Sequence, residues 1–401
     1  MDRKRQAGPL RSGDDMSSAI VGVGETPAAK VSEENLESLI VRACREALDD
    51  AGLRPSDVDG IVIEGAVMPK EFPADRCEEV LGLHNVELQL GVSKSGAGVV
   101  GSLGVAAEAI RARRAEVVLS YFGVDWGTQR RTGGGAGPAN ARVGEPRIEA
   151  FERAFGYWPQ VVWFGGLAQR YLETFGRPES DFASWVVANR ENAATHEHAL
   201  EREPLTESDY MDSPYVAAPL RRADCSLLND GAGAMVVTSL DRAADCRRTP
   251  VGIAGVGTGH NETLGRSSIV LDSEILHTGA TTATQVAMRS AGIGLDDVGF
   301  AEIYDCFTIA AILQAEDMGL FEPGTAGQMA GKGVTRFDGA LPINTHGGLL
   351  SNSFIVGMGH VIEGVRQVRR ERGDGQVTRS SVGLIAGYGG AESSTAVLVA
   401  I

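Results

Sequence analysis

The chain repeats a pattern of its own sequence at a distance of 240 residues. The segment AGLRPSDVDGIVIE runs from Ala51 to Glu64, and AGIGLDDVGFAEIY runs from Ala291 to Tyr304. Each contains an Ala-Gly pair, an Asp-Val pair and an apolar run typical of a strand, and each follows a stretch with apolar residues at helical spacing. A fixed internal period indicates a duplicated structural unit. We therefore predict a fold built from two copies of one α/β unit.

A second pair of segments supports the duplication. SKSGAGVVGSLGVAAEAI begins at Ser93 and NTHGGLLSNSFIVGMGH begins at Asn344, and each pattern predicts a glycine-rich turn followed by a helix. We predict an unstructured N-terminal extension over residues 1–17, a first half over 18–245 and a second half over 246–401. Residues from about 124 to 220 interrupt the first half with turn signals and helical patterns. We predict that they form an inserted loop domain, which usually shapes a binding site.

Composition excludes several classes of protein. A net charge of −16 is unsuited to general nucleic-acid binding, which needs a basic surface. Five cysteines without a CxxC pair indicate reduced thiols rather than a disulfide scaffold or a metal site. No apolar run approaches the eighteen or so residues that cross a bilayer, and the first seventeen residues lack the apolar core of a secretion signal. We expect a cytoplasmic protein without a membrane span.

The ends of the predicted strands are the places to look for chemistry. In open α/β sheets, ligands bind beyond the carboxyl ends of the strands. Glu64 and Tyr304 occupy equivalent strand ends in the two copies, and the apolar run VGLIA leads to Tyr388 in a GYGG turn. Ser93 and Asn344 open the two glycine-rich turns. Several polar side chains therefore converge on matching positions of the duplication.

Together, the duplicated unit and the motifs DGAGAMVVTS, YDCF, NTHGGLLSNSF and GYGG resemble the thiolase superfamily. The resemblance is to its branch of sterol-carrier-type thiolases and steroid side-chain-cleaving aldolases, and it extends from about Ala19 to Ile401. It implies a five-layer α-β-α-β-α fold of two duplicated α/β units. It also implies a homodimer that acts on acyl-CoA thioesters. We expect the apolar segment EVVLSYFG to be an edge strand that the dimer covers.

Departures from the thiolase pattern decide which reaction the resemblance implies. A thiolase carries its nucleophilic cysteine in a C-x-S/T-G turn, where this chain has Ser93 followed by Lys94, Ser95 and Gly96. The thiolase histidine of the second turn is replaced by Phe354. Steroid aldolases, in contrast, share the tyrosine of YDCF and lack the cysteine. The resemblance therefore implies retro-aldol cleavage of a β-hydroxyacyl-CoA to a ketone and a shorter acyl-CoA.

That reaction needs a base, donors for the thioester enolate and an acid. Three residues are predicted to be catalytic, namely Tyr304, Tyr388 and His346. Because aldolases have a second tyrosine where this chain has Phe354, either Tyr388 or His346 is expected to supply the missing proton carrier, or the reaction differs. Five residues are predicted to contact the substrate, with the Gly389 amide facing the thioester oxygen: Ser93, Asn344, Phe354, Cys306 and Gly389. Asp305 is expected to cap the helix FTIAAILQAEDMG, with orientation of Tyr304 as the alternative, and His360 is expected to belong to the core.

The resemblance also implies partners and leaves alternatives open. Relatives work with a small protein that carries a zinc-ribbon and an OB-fold, often attached to an enoyl-CoA hydratase, so such a partner is expected. No metal and no cofactor are expected, apart from the coenzyme A of the substrate. One alternative is an acyltransferase or condensing enzyme with Ser93 or Cys306 as nucleophile. Another is a non-catalytic subunit that binds acyl-CoA.

Overall fold

The computed structural model describes residues 16–67, 69, 72–133, 154–157, 159–261 and 273–401. The predicted extension, residues 1–17, lies outside the described residues except for its last two. The described strands are β1 Ser18–Glu25, β2 Gly60–Glu64, β3 Leu88–Val92, β4 Val117–Asp125, β5 Tyr215–Ala217, β6 Leu220–Arg221, β7 Asp230–Ser239, β8 Val251–His260, β9 Phe300–Ile303, β10 Val382–Tyr388 and β11 Glu392–Ala400.

The α-helices of the described residues follow the same chain order. They are α1 Leu36–Ala51, α2 Ala74–Leu81, α3 Gly98–Arg111, α4 Trp126–Arg131, α5 Gln160–Phe175, α6 Ser180–Ala194, α7 Glu207–Asp212, α8 Leu240–Ala243, α9 Ala280–Ala291, α10 Thr308–Asp317, α11 Ala326–Gly331, α12 Gly348–Ser351 and α13 Met358–Arg369. Among these described helices, none is both long and apolar enough to cross a bilayer.

The strand order of the main sheet contains the same arrangement twice. The order is β3-β2-β4-β7-β1-β8-β11-β10-β9. Read inward from each end, β2-β4-β7-β1 of the first half corresponds to β9-β10-β11-β8 of the second, and β3 is an addition at one edge. The β2–β4 and β9–β10 pairs are parallel, and the remaining pairs of these two sets are antiparallel. The topology therefore agrees with a duplicated α/β unit.

The helices form three layers around the two sheet halves. Helix α1 packs on β1, β4 and β7, and α9 packs on β8 and β11. Helices α3 and α13 contact strands of both halves, so they lie between them. Only two residue pairs of the described strands, Ala19 with Gly252 and Ile20 with Val251, connect β1 to β8. The predicted five-layer order of helix, sheet, helices, sheet and helix is confirmed.

Close packing between helix and strand is repeated in both halves. Gly22 of β1 lies so close to α1 that a Cβ there would be 2.0 Å from the carbonyl oxygen of Ala47. Gly255 of β8 lies against α9 in the same way, where a Cβ would be 2.2 Å from the carbonyl oxygen of Ala287. A side chain at either position would separate the helix from its strand.

The expectation that EVVLSYFG is an exposed edge strand was wrong. Strand β4 pairs with β2 on one side and β7 on the other, and its residues from Val117 to Val124 are buried. The apolar run reflects helices on both faces rather than an unpaired edge. The outer strand of this half is β3, where Leu90 is 42% exposed.

The segment between β4 and β7 lies over one end of the sheet. Its described part contains α4 to α7 and the small β5–β6 ribbon. Helices α5 and α6 pack on α10, and α6 also packs on α11 and α12 of the second half. The segment inserted in the first half therefore contacts the second half, next to the carboxyl end of β9.

Candidate active site

Tyr304 lies directly after β9, and its backbone is fixed on both sides. Its N–H donates to the carbonyl oxygen of Ala386 in β10 at 3.0 Å, and its carbonyl accepts from the Gln314 amide at 2.7 Å. The side chain is 5% exposed. The ring meets the edge of Phe354 at a centroid distance of 6.1 Å and lies nearly parallel to the ring of His360 at 6.2 Å. Among the described residues, the Tyr304 hydroxyl has no hydrogen-bond partner.

The glycine-rich turn of the first half reaches this tyrosine. A Cβ at Gly96 would lie 2.5 Å from Cζ of Tyr304 and 2.2 Å from the carbonyl oxygen of Tyr388. A Cβ at Gly389 would lie 2.1 Å from the carbonyl oxygen of Lys94. The duplication thus brings the turn before α3 against the strand ends of β9 and β10. Only residues without a side chain permit this approach.

The other two predicted catalytic residues are more deeply buried. Tyr388 is 2% exposed, and its hydroxyl has no partner among the described residues. His346 is 1% exposed, and its Nδ1 lies 2.9 Å from a carboxylate oxygen of Glu302. Its ring meets the edge of the His360 ring at 5.0 Å. His346 is therefore linked to Tyr304 through His360.

The predicted substrate-contacting residues lie in different places. Ser93 is exposed at the end of β3. Asn344 is fully buried, where its side chain accepts from the Ile303 N–H and donates to the Ile303 carbonyl. It extends the edge of β9 as a neighbouring strand would. The N–H of Gly389 donates to the carbonyl of Glu392 at 2.8 Å, so it is already engaged within its turn.

Phe354 and Cys306 line a cavity of about 910 Å³ between the inserted segment and the loops that follow β1 and β9. Phe354 also packs edge-on against Trp126 at 4.7 Å. Tyr304 lies behind Phe354, and neither Tyr304, Tyr388 nor His346 lines the cavity. The cavity wall is mostly apolar, and its basic lining residues are Lys30, Arg130, Arg131 and Arg222.

Three of these basic residues differ from the fourth in their charge environment. Lys30 pairs with Glu201 at 3.0 Å, whereas the exposed side chains of Arg130, Arg131 and Arg222 pair with no carboxylate in the part of the chain that the structure describes. We call these three residues the arginine collar. In a chain with a net charge of −16, the collar is a local anion-attracting feature.

Asp305 does not cap the helix that follows it, contrary to expectation. Helix α10 begins after Phe307 without a side-chain cap. Asp305 instead accepts from the N–H of Leu349 in α12 at 2.7 Å, from the Asn189 amide at 3.0 Å and from Nε2 of His360 at 3.2 Å. These groups come from α12, α6 and α13. Long-range partners satisfy the carboxylate, so the local pattern alone misled the prediction.

Burial and neighbouring charge set the protonation of the site. Burial raises the pKa of Tyr304 well above its usual value, and the charges of Cys306, Asp305 and Glu64 add to the shift. Burial likewise raises the pKa of the Tyr388 phenol and of the Cys306 thiol. Both tyrosines therefore stay protonated at neutral pH.

Neighbouring charges and burial shift the pKa of His346 in opposite directions. Burial alone would lower the pKa of His346, but the carboxylates of Glu302, Glu363 and Asp305 together raise it. The imidazole therefore holds a proton more readily than a buried histidine without acidic neighbours would.

Sequence reasoning missed two groups of residues. His360 was expected to be core, and it is fully buried, but it also packs on Tyr304 and bonds to Asp305. The sequence signal for His360 is its place at the end of the run GMGH, which begins at Gly357 and leads into a central helix. The arginine collar lies in an insert that offers no motif.

Comparisons with known proteins identify the family of the chain. Residues 261–401 match the family model of the thiolase C-terminal domain. A steroid side-chain-cleaving aldolase of Thermomonospora curvata is 32% identical over 88% of this chain and 90% of its own. A 17-hydroxy-3-oxo-4-pregnene-20-carboxyl-CoA lyase of Mycobacterium tuberculosis is 32% identical over 88% of this chain and 91% of its own.

A solved structure is similar along nearly its whole length. It is described as an Ltp2-ChsH2(DUF35) aldolase, with a TM-score of 0.87, 30% identity, and coverage of 96% of this chain and 98% of that one. The chain belongs to the thiolase superfamily, in the group that contains the steroid side-chain-cleaving aldolases.

Proposed function

We propose that the protein is a lyase that cleaves a β-hydroxyacyl-CoA by a retro-aldol reaction. The observation that carries the proposal is a buried phenol, Tyr304, behind the wall of a large apolar cavity, in a chain 32% identical to two lyases. The turn before the central helix has Ser93 where a thiolase has its cysteine. Cleavage without a covalent intermediate fits this set of side chains.

The reaction moves one proton and breaks one carbon–carbon bond. The β-hydroxyl loses its proton, its oxygen becomes the carbonyl of the released ketone, and the Cα–Cβ bond breaks. The electron pair goes to the thioester enolate, and a proton added at Cα gives the shorter acyl-CoA. Because burial raises the pKa of Tyr304, its phenol is protonated and takes up the β-hydroxyl proton only as it passes its own proton on toward Cα, so it serves as a relay rather than as a standing phenolate. No cofactor beyond the coenzyme A of the substrate is required.

The cavity supports a bulky acyl group. Its volume of about 910 Å³ lies within the range of small-molecule sites, and its apolar wall suits a hydrocarbon ring system. The arginine collar suits the phosphates of coenzyme A. We propose a steroid side-chain CoA ester as the substrate, in line with the names of the two relatives.

We propose that the chain forms a homodimer through β3. One edge of β3 is unpaired among the described strands, and exposed Leu90 adjoins a groove of about 770 Å³ that also contains Val105 and Val256. An unpaired apolar edge favours pairing with a second strand. Light scattering at micromolar concentration should give twice the monomer mass, and Leu90→Lys should lower it. A monomeric wild type would refute this part.

We also propose a second protein partner. The similar solved structure contains a DUF35 protein by its description, and the sequence resemblance implies a zinc-ribbon and OB-fold protein, which in some relatives is attached to an enoyl-CoA hydratase. Co-purification from the native host tests this. The complex should then be incubated with 17-hydroxy-3-oxo-4-pregnene-20-carboxyl-CoA and other β-hydroxyacyl-CoA esters. Mass spectrometry should detect a ketone and a shorter acyl-CoA, and binding without turnover would favour a non-catalytic subunit.

A further inference from the structure

The Tyr304 side chain is oriented by packing of its ring rather than by a hydrogen bond of its hydroxyl group. The hydroxyl has no partner among the described residues, while Gly96 and Gly357 lie beside the ring. Phe354 contacts the ring through an edge. The other aromatic contact within the described chain is His360, whose ring lies at 27° to that of Tyr304. The direction of the phenol therefore depends on how His360 is held.

Asp305 holds His360. One carboxylate oxygen lies 3.2 Å from Nε2 of the imidazole, and a carboxylate can only accept there, so Nε2 carries the proton. Asp305 is itself fixed by Leu349 and Asn189. Asp305, His360 and Asn189 are all at most 3% exposed. A hydrogen bond in such a water-excluded place orients its donor strongly.

Resting on the proposed function, we infer that Asp305 and His360 form a positioning pair for Tyr304, which aims the phenol at the substrate during carbon–carbon cleavage. The pair acts through the ring contact and does not touch the substrate. It also links the catalytic strand end to α6 of the inserted segment through Asn189. The motif YDCF contains Asp305, but it does not reveal the bond to His360.

Two substitutions at one position separate the bond to Asp305 from the space that His360 fills. His360→Phe keeps a ring of similar size and removes the donor, whereas His360→Gln keeps an amide donor near Nε2. Misplacement of a reacting group by about 1 Å costs on the order of a hundredfold in rate. We therefore expect His360→Phe to lower kcat by about 10- to 100-fold with KM within about threefold, and His360→Gln to restore most of kcat.

His196→Phe is the matched control. His196 is 3% exposed, and its ring lies 6.5 Å from that of His346 without an aromatic contact to Tyr304. Burial lowers the pKa of His196 to about 4, so the substitution removes no charge at neutral pH. It should reduce thermal stability about as much as His360→Phe and leave kcat within about threefold. Equal kcat losses in the two Phe variants would overturn the inference, as would His360→Gln being as slow as His360→Phe.

A structural measurement does not depend on turnover, so it tests the inference separately from the proposed function. Crystal structures of the variants should show the Tyr304 ring turned in His360→Phe and in place in His360→Gln. An unmoved ring in His360→Phe would refute the positioning pair whatever the enzyme does. If wild type cleaves no β-hydroxyacyl-CoA, the proposed function fails and the ring comparison still stands. His360→Ala takes the place of the Phe variant if that protein does not fold.

Discussion

The strand ends of the two halves have the same position in the fold and different chemistry. Glu64 ends β2, and its carboxylate accepts from the N–H groups of Ala66 at 2.8 Å and Val67 at 2.6 Å. Tyr304 follows β9 at the equivalent point, and its hydroxyl is left without a partner in the described chain. Duplication gives both halves a polar side chain facing the middle of the molecule. Of these two strand ends, the second leaves its polar group without a hydrogen-bond partner among the described residues.

The turns that lead into the central helices differ as well. Helix α3 begins five residues after Ser93, whereas α13 begins fourteen residues after Asn344. The longer turn contains α12 and Phe354. Each turn holds a left-handed residue just before its helix, Ser95 with φ of 51° and Val356 with φ of 49°. A β-branched residue in that conformation is strained, and such strain concentrates at functional sites.

The largest expected effect is on the free hydroxyl of the second half. Tyr304→Phe removes one oxygen and should leave the fold and the affinity for CoA nearly unchanged. General acid–base groups contribute about a hundred- to ten-thousandfold, so kcat should fall within that span. Steady-state kinetics with a cleavable β-hydroxyacyl-CoA measures the change. If this variant keeps full turnover while Tyr388→Phe or His346→Ala loses it, Tyr304 is not the proton-transfer residue and the catalytic group lies outside the YDCF motif.

The next effect tests the contact between the halves. Gly96→Ala places a methyl group 2.2 Å from the carbonyl oxygen of Tyr388 and 2.5 Å from Cζ of Tyr304, so both the β10 strand end and the ring must shift. We expect a loss of stability of about 1–3 kcal/mol and a fall in kcat of about a hundredfold. Gly101→Ala is the control, because the nearest atom to its methyl would be the Ser394 hydroxyl oxygen at 3.2 Å. Similar kcat values for the two variants would show that the first-half turn does not hold Tyr304.

A smaller effect is expected on the pH dependence of stability, in which the buried carboxylates Glu363 of the second half and Glu64 of the first half should differ. Burial alone would raise the pKa of Glu363, but Arg372, His346 and His196 lower it to about 2, from an ordinary value near 4.5. Its contribution to stability is therefore present above pH 4.5 and is lost as the pH falls toward 2. At about 1.4 kcal/mol per pKa unit, the full loss is about 3 kcal/mol. Glu363→Gln should flatten the decline of unfolding free energy below pH 4.5.

Glu64 should behave in the opposite direction. Burial raises its pKa despite the two N–H donors, so its ionisation weakens the folded state as the pH rises above its ordinary value. Compared with Glu64→Gln, the wild type should lose stability as the pH rises from about 4.5 through the raised pKa of the folded state. Urea denaturation across the pH range measures both variants. Slopes of the same sign would contradict the distinction between the halves.

The smallest effects concern the alternative nucleophiles. Ser93 is exposed at a turn, and burial raises the pKa of the Cys306 thiol, so neither is an activated nucleophile. Ser93→Ala and Cys306→Ala should each keep kcat within about tenfold, well under the hundredfold expected for a proton-transfer group. No acyl-enzyme should be seen by intact-protein mass spectrometry. A covalent adduct lost in either variant would favour an acyltransferase.

The sequence predicted the architecture well because each repeated motif is a continuous stretch of sequence that can be recognised directly. The 240-residue offset placed Glu64 and Tyr304 at matching strand ends, and the structure agrees. For β4, the sequence could not distinguish a central strand that is buried on both faces from an apolar edge strand, because both appear as an apolar run. The partners of Asp305 come from residues 116 positions earlier and 44 or 55 later, so no local pattern reveals them.

The structure brings some of the predicted site residues close to one another and separates others. Tyr304, Phe354 and Cys306 come together near the cavity, while Ser93 and Asn344 occupy a surface turn and the buried edge of β9. Periodicity identified the turns, but it gave no information about which side of a turn faces the substrate. The arginine collar was missed because isolated arginines in an insert are ordinary surface residues until the fold assembles them.

The arginine collar has a consequence for how quickly an anionic thioester is captured. At a distance, the net charge of −16 repels such a molecule, and within a few ångströms of the cavity the three guanidinium groups attract it. The Debye length at physiological ionic strength is about 8 Å, so salt weakens the repulsion before it weakens the attraction. We therefore expect moderate salt to speed the association of an acyl-CoA with the protein and only concentrated salt to slow it, which stopped-flow binding at increasing salt measures.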